Sequence, residues 1–443
     1  MVNKSVLWLF MLILFSTVLA ACSGGNTGSE NKGATASEKP AAASQKPAEP
    51  VELMFMGSTD KERFMREHGN DLAQKFPNIK INYYFLSAKD DEEKGQLSIQ
   101  GALTRGMAID IMHVSPDNIQ PYLMDTQLGY DISDLIKKHK YDLSVLYPQA
   151  VETIKLITGG PLFGLPSNRS VNKLYYNRDL FDKFGVSYPK DGLTYDEVYD
   201  LAKRMTRTDS GVQYQGIIVV FPTQMGMNQL SAPFVDPQTN KSTVATDPRW
   251  SKMFANLVRF HQIPGNEKID GNAFTTNGTA AMFLTAYDLN QTWKVNWDIA
   301  RVPEYPELPG VGPGMAGSIF ALASTSKHKD EAFQVISYLS SKEKLLSMER
   351  AGALTVVNSP ESKQVFGKDA AWLQEKKVNL AAMFPEKPAK SYQITRYDGL
   401  VQKALNNQFN LMVQGKVPDV NTALRNAADD ADKAIAEQLA AKK

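Results

Sequence analysis

Short apolar runs and stretches of helical spacing take turns along this chain. Residues 51–56 form an apolar run that reads as a strand. A turn at 57–60 leads into a stretch with Phe64, His68, Leu72 and Phe76 on one helical face, stopped by Pro77. Ile79, Ile81, Tyr83 and Phe85 then alternate as strand residues do. Leu97, Ile99 and Leu103 predict a second helix, with the acidic run 90–93 at its start, where the helix dipole favours negative charge. Residues 108–116 read as another buried strand ending in a polar loop. Strand, helix, strand, helix, strand predicts a mainly parallel sheet with helices on both faces. Ligands of such sheets gather beyond the carboxyl ends of the strands. That singles out the loops 57–60, 113–118 and 166–169.

The stretch from Gly164 to Phe181 reads as a crossing from one α/β unit to another. It has a turn at Gly164 and Pro166, polar residues, then Leu174, Tyr175 and Tyr176 ahead of a helix capped by Asn177 or Asp179. Thr194 and Glu197 have capping-box spacing before the apolar stripe Val198, Leu201, Ala202 and Met205. Residues 216–221 predict a strand with 222–225 as its loop, 236–240 a turn, and 280–284 and 297–302 further strands. Residues 315–323 read as a second crossing, followed by a helix with Asp330 and Glu331 in its first turn and Phe333, Ile336 and Leu339 inward. A turn region at 352–360 suits a third passage. The chain closes on an Ala-rich helix over 421–439, apolar at Leu424, Ala428, Ala431, Ile435 and Leu439. No internal repeat is evident.

The N-terminus changes the picture. Residues 1–21 read as a secretory signal, with Lys4 before an apolar run shorter than the ~20 residues a membrane-spanning helix needs. It ends Leu19-Ala20-Ala21-Cys22, the pattern of a bacterial lipobox in which Cys22 would be lipidated; a plain signal peptide with a stray cysteine is the alternative. Cys22 is the only cysteine, so an internal disulfide and a thiolate-cluster metal site are excluded. Residues 23–50 are Gly, Ser, Ala, Pro, Lys and Glu in the main, a disordered tether spanning roughly 30 Å as a coil. Forty-nine basic residues less Lys4 leave 48 against 48 acidic ones. That balance gives no support to nucleic-acid binding. With 43% hydrophobic residues, the remaining length predicts two domains.

Three groups of residues resemble one family. The first is Gly164-Leu-Pro with Leu174-Tyr-Tyr-Asn and Asp179-Leu-Phe. The others are the element from Asn277 through Ala280-Ala-Met282 and the segment 318–341 with Ser324-Thr-Ser-Lys327. Together with the lipobox they are similar to extracellular solute-binding proteins of ABC importers, in the carbohydrate-binding branch that includes maltose-binding protein. The resemblance implies a two-lobed α/β fold of the type II periplasmic-binding-protein kind, each lobe a mainly parallel sheet flanked by helices. Lobe 1 would be 51–173 with 318–355, and lobe 2 174–317 with 356–443. It also implies an extracellular protein held at the membrane by its lipid, acting as a monomer without cofactor or catalysis. Its partners would be a carbohydrate, an oligosaccharide foremost, and an importer permease. Hinge bending would occur at 174–177 and 318–322.

Sugar binding needs flat aromatic faces, plus amides, carboxylates or Arg forked onto hydroxyls. The expected crevice offers His113, Asp117, Asn118, Asn168 and Arg169 from lobe 1, and Gln224, Tyr287 and Asp288 from lobe 2. Tyr287 stands where the family carries Trp. Tyr392 or Tyr397, with Tyr397 preferred, would add the late aromatic the family often has. Each of these residues has a structural alternative: Tyr287 in the core, Arg169 in an interlobe salt bridge, Asp117 as a helix cap. The five histidines lack metal-ligand spacing, and the glycines at 310–314 read as a surface loop. Two other functions stay open. One is a receptor for an anion, metal or polyamine, or one serving a sensor. The other is a polysaccharide-acting enzyme, for which Asp117 and Asp288 are the carboxylate pair on offer.

Overall fold

The computed structural model describes residues 50–91, 93–314 and 317–440. The signal, Cys22, the tether and Met315–Ala316 of the second crossing lie outside them. Two larger sheets organise the described residues, which belong to a single compact unit. The first has six strands in the order 96–97, 79–86, 51–57, 111–114, 319–322, 164–166. Its first four strands are mutually parallel, and Ile319–Leu322 runs antiparallel to both of its neighbours. The helix from Lys61 to Lys75, with a π turn at Met65–Gly69, packs on this sheet and brings Phe64 to stack on Tyr83 at 4.0 Å. Phe55, Ile111, Phe320, Leu322, Phe333 and Ile336 sit in the same core.

The second sheet has the order 297–301, 173–177, 282–285, 218–219. Lys173–Asn177 is antiparallel to both neighbours, because it arrives from the other sheet rather than through a strand–helix–strand unit. Its side chains alternate between two cores. Leu174 and Tyr176 join Trp250, Phe254, Phe409 and Leu424 on one face, while Tyr175 joins Phe274, Phe283 and Trp297 on the other. A strand buried on both faces reads as a continuous apolar run, as this one does. Leu354 packs with the second of these cores, whereas Val356 and Val357 belong to the core of the first sheet.

The capping box forms as expected. Glu197 N–H donates to Thr194 Oγ1 at 3.3 Å, and Thr194 N–H donates to Glu197 Oε2 at 2.7 Å. Other expectations shift. The second helix begins only at Ile99, capped by Ser98, and Leu97 is in a strand. Asp90 accepts from Ser98 N–H at 2.8 Å and pairs with Arg105 at 2.9 Å, so it holds a turn ahead of the helix rather than its first residues. Gly95, at φ +63°, closes that turn. The strand at 216–221 contracts to Ile218–Val219, and the expected loop after it is a helix, Phe221–Gly226, with Pro222 in its first turn. Leu439, placed on the apolar face of the last helix, is 38% exposed.

The stretches expected to bend, 174–177 and 318–322, fall mainly in strands. Residues 174–177 and 319–322 are interior strand residues bonded to neighbours on both sides. Among the described residues, the segments that pass between the sheets are 167–172 and 302–314 with 317–318.

Candidate functional site

The loop after the strand Ile111–Val114 faces a cavity of about 900 Å³ that loops of the second sheet line from the other side. From the first side, Ile111–Val114 ends in Ser115, and Pro116 opens a short helix with Asp117 in its first turn. Pro pre-sets the backbone of a first helical turn, and Asp117 stands exposed at the cavity wall, with no side-chain bond among the described residues. Ser170 reaches the cavity from the crossing segment.

The second side is built on Met282–Thr285. Thr285 Oγ1 accepts from Tyr287 N–H at 3.2 Å, and Tyr175 Oη donates to the Tyr287 carbonyl at 2.9 Å. These bonds fix the loop and leave the Tyr287 ring 50% exposed, edge-on to Phe283 at 5.7 Å. Asp288 and Asn290 follow it into the lining. Trp293 backs them, with ring centroids 4.9 Å from Tyr175 and 6.1 Å from Trp297. Thr223, Gly226 and Met227 line the cavity from the Phe221–Gly226 helix and its end.

Residues from 392 to 402 complete the wall. Tyr392 Oη donates to the Gly226 carbonyl at 3.4 Å. Arg396 donates to Asp125 Oδ1 at 2.8 Å and also bonds its Oδ2. Asp398 is 4% exposed, and Thr395 supplies its N–H at 3.1 Å and its hydroxyl at 2.6 Å to Oδ1. Burial pushes the Asp398 carboxyl up to about 7, against the lowering effect of those two bonds. Gln402 lies one turn further along the same helix.

Of the residues expected at the site, Asp117, Tyr287 and Asp288 come together here. The others do not line this cavity. His113 stacks on Phe320 at 4.6 Å and bonds Ser167 at 3.2 Å, and burial lowers its pKa to about 4. Asn118 donates to Ser115 Oγ, and Asn168 Oδ1 accepts from Ser318 N–H. Arg169 is buried, donating to the Thr355 carbonyl at 2.9 Å with its guanidinium over Tyr147 and Phe384. Gln224 is buried behind the wall and donates to Thr223 Oγ1. Tyr397 is in the second lobe's core, and Tyr392 is the aromatic that reaches the cavity. Trp293, Asn290, Arg396, Asp398 and Gln402 carried no sequence signal, because they lie in irregular loops or just beyond one.

Among the described residues, no group of three or more His, Cys, Asp or Glu side chains is placed to hold a metal ion. No helix there is long and apolar enough to cross a membrane.

Known proteins share both sequence and fold with this chain. The sn-glycerol-3-phosphate-binding periplasmic protein of Brucella melitensis is 26% identical over 327 residues, 67% of this chain and 73% of that protein. The lactose-binding protein of Rhizobium radiobacter is 23% identical over 392 residues, 82% and 88% of the two chains. Among solved structures, an ABC substrate-binding protein of Listeria monocytogenes in complex with cycloalternan superposes with a TM-score of 0.69 at 19% identity. It covers 88% of this chain and 100% of its own. The sugar-binding protein MalE of Xanthomonas citri gives 0.66 at 17% identity, covering 87% and 98%. These likenesses fix the two-lobed α/β fold of type II binding proteins. Residues 57–344 match the family model of the bacterial extracellular solute-binding proteins, and the chain belongs to that family.

Proposed function

We propose that this protein captures a carbohydrate, an oligosaccharide by the size of its cleft, and delivers it to an ABC importer permease. The lobes taken as 51–173 with 318–355 and 174–317 with 356–443 would close over it, and lipid on Cys22 would hold the protein at the outer face of the membrane. It would act as a monomer, with no chemistry of its own. The observation that carries the reading is the mixed lining of the ~900 Å³ cavity. Tyr287, Trp293 and Tyr392 offer flat apolar faces for the C–H sides of sugar rings. Asp117, Asp288, Asn290 and Gln402 offer acceptors and donors for hydroxyls. Of the residues expected from sequence, Asp117, Tyr287 and Asp288 are therefore assigned to the ligand.

Charge argues against a phosphorylated ligand such as the Brucella relative's name gives. Arg396 is the sole cationic side chain among the described lining residues, and Asp125 already holds it with two bonds. Arg63 and Lys173 lie within electrostatic reach of Asp288 but do not line the cavity, so a phosphate would meet the carboxylates of Asp117 and Asp288 first.

The test is thermal unfolding of the unlipidated protein against oligosaccharides, with sn-glycerol 3-phosphate, sulfate, spermidine and iron as controls. Ligand at a hundred times its Kd stabilises by ~2.7 kcal/mol, a shift of roughly 5–10 °C for lobes of this size. A shift with carbohydrates alone supports the reading. A shift confined to a control overturns the ligand class.

A further inference from the structure

Residues 391–397 form no regular element, yet they run along one wall of the cavity with their side chains divided between the two halves of the molecule. Ser391 Oγ lies 3.4 Å from Thr153 Oγ1 on the Pro148–Thr158 helix of the first half. Ile394 packs against the first sheet's core, whereas Tyr392 and Tyr397 pack in the second. Arg396 reaches back to Asp125, which caps the turn Gln120–Met124, whose Leu123 is in the first core.

Both partners are set from their own side. Gln120 Nε2 donates to Asp125 Oδ1 at 3.1 Å, and the Arg396 guanidinium lies over the Tyr397 ring at 5.7 Å. Their side chains are 24% and 28% exposed, so the pair is more shielded from water and salt than a surface ion pair. Two charge-assisted bonds in a forked geometry also fix direction, which a single Lys contact would not.

We propose that Arg396 and Asp125 are a positioning pair that latches the two lobes together along the ligand wall. The same stretch touches ligand and carries the latch, so ligand departure waits on the opening of the pair. This inference rests on the cavity being the ligand site, but the latch itself holds the lobes with or without ligand.

The test uses Arg396→Asp, Asp125→Arg and the double swap, with Asp125→Asn as the milder variant should a reversal fail to fold. Stopped-flow measurements with the carbohydrate selected above read the dissociation rate, and small-angle scattering reads the radius of gyration without ligand. Each single variant is expected to dissociate about five- to tenfold faster with an association rate within about twofold, since losses of this kind fall on dissociation. It should also be more extended when empty, and the double swap should recover most of both effects. Added salt should speed dissociation from the unmodified protein and, by screening the repulsion between like charges, slow it in the two single reversals. Singles that match the unmodified protein in dissociation and in scattering, or a double swap no better than the singles, would overturn the latch. Failure to find any carbohydrate ligand would count against the functional reading alone, because scattering of the empty protein still decides on the latch.

Discussion

Asp398→Asn is expected to stabilise the ligand-free protein at neutral and alkaline pH, and to do nothing of the kind in acid. Asp398 opens the Asp398–Val413 helix, is 4% exposed, and receives both Thr395 bonds on one oxygen. Burial moves its pKa from 3.8 to about 7. Between those values the folded chain keeps a proton that the unfolded chain has lost. Stability attributable to this group therefore falls as pH rises through that window, and above about 7 the full cost is present. At ~1.4 kcal/mol per unit the ceiling is about 4 kcal/mol. The helix N-terminus favours the anion by up to about 2 kcal/mol, which sets the expected gain from Asn at about 2–4 kcal/mol.

Urea unfolding of both proteins from pH 4 to 8.5 is the assay. His68, His113 and His261 work in the opposite sense. Burial lowers their pKa values to about 3, 4 and 4, so their contribution is lost as pH falls below about 6.5. The difference between variant and parent isolates Asp398. A difference that stays constant across the range would refute the reasoning.

Three further predictions follow from packing and local geometry. A Cβ on Gly164 would sit 2.1 Å from the Phe320 carbonyl oxygen and 2.6 Å from Ala321 Cα, both backbone, so Gly164→Val should cost ~3 kcal/mol or more in thermal unfolding. A cost under about 1 kcal/mol would contradict the close strand approach. Thr194→Ala should cost about 1 kcal/mol through loss of its cap and leave ligand affinity untouched. Arg169→Ala should cost ~3 kcal/mol or more, because it removes a buried side chain that bonds the Thr355 carbonyl and packs over the Tyr147 and Phe384 rings, while ligand Kd stays within about twofold. A large Kd change at unchanged stability would instead place Arg169 at the ligand.

The framework could be read from sequence where side chains alternate against a core. Ile79 and Tyr83 lie buried in the first sheet's core, and the Thr194–Glu197 box caps its helix as spaced. Legibility failed where a tertiary turn decides the outcome. Asp90 looked like a helix start because nothing local shows that Gly95 folds the chain back to pair Asp91 with Gln96. Asp117 and Tyr287–Asp288 could be placed at the candidate cavity from sequence because each lies within three residues of a strand end. Trp293 lies several residues further into a loop without periodicity. Tyr392 and Tyr397 come from an irregular segment, where no repeat tells which side chain faces the cavity and which the core. Arg169 had the right chemistry for a ligand fork, but Thr355, Tyr147 and Phe384 occupy it.

Calorimetric titration of the unlipidated protein with the carbohydrate giving the largest thermal shift tests the central claim most directly, run beside Tyr287→Ala and Trp293→Ala. Tyr287 is half exposed in the empty protein, so its loss should leave folding intact. The account predicts one site per chain, a negative heat-capacity change on binding, and a Kd raised about tenfold or more by Tyr287→Ala and likewise by Trp293→Ala. A Kd that neither substitution moves would contradict it and put the ligand elsewhere on the molecule.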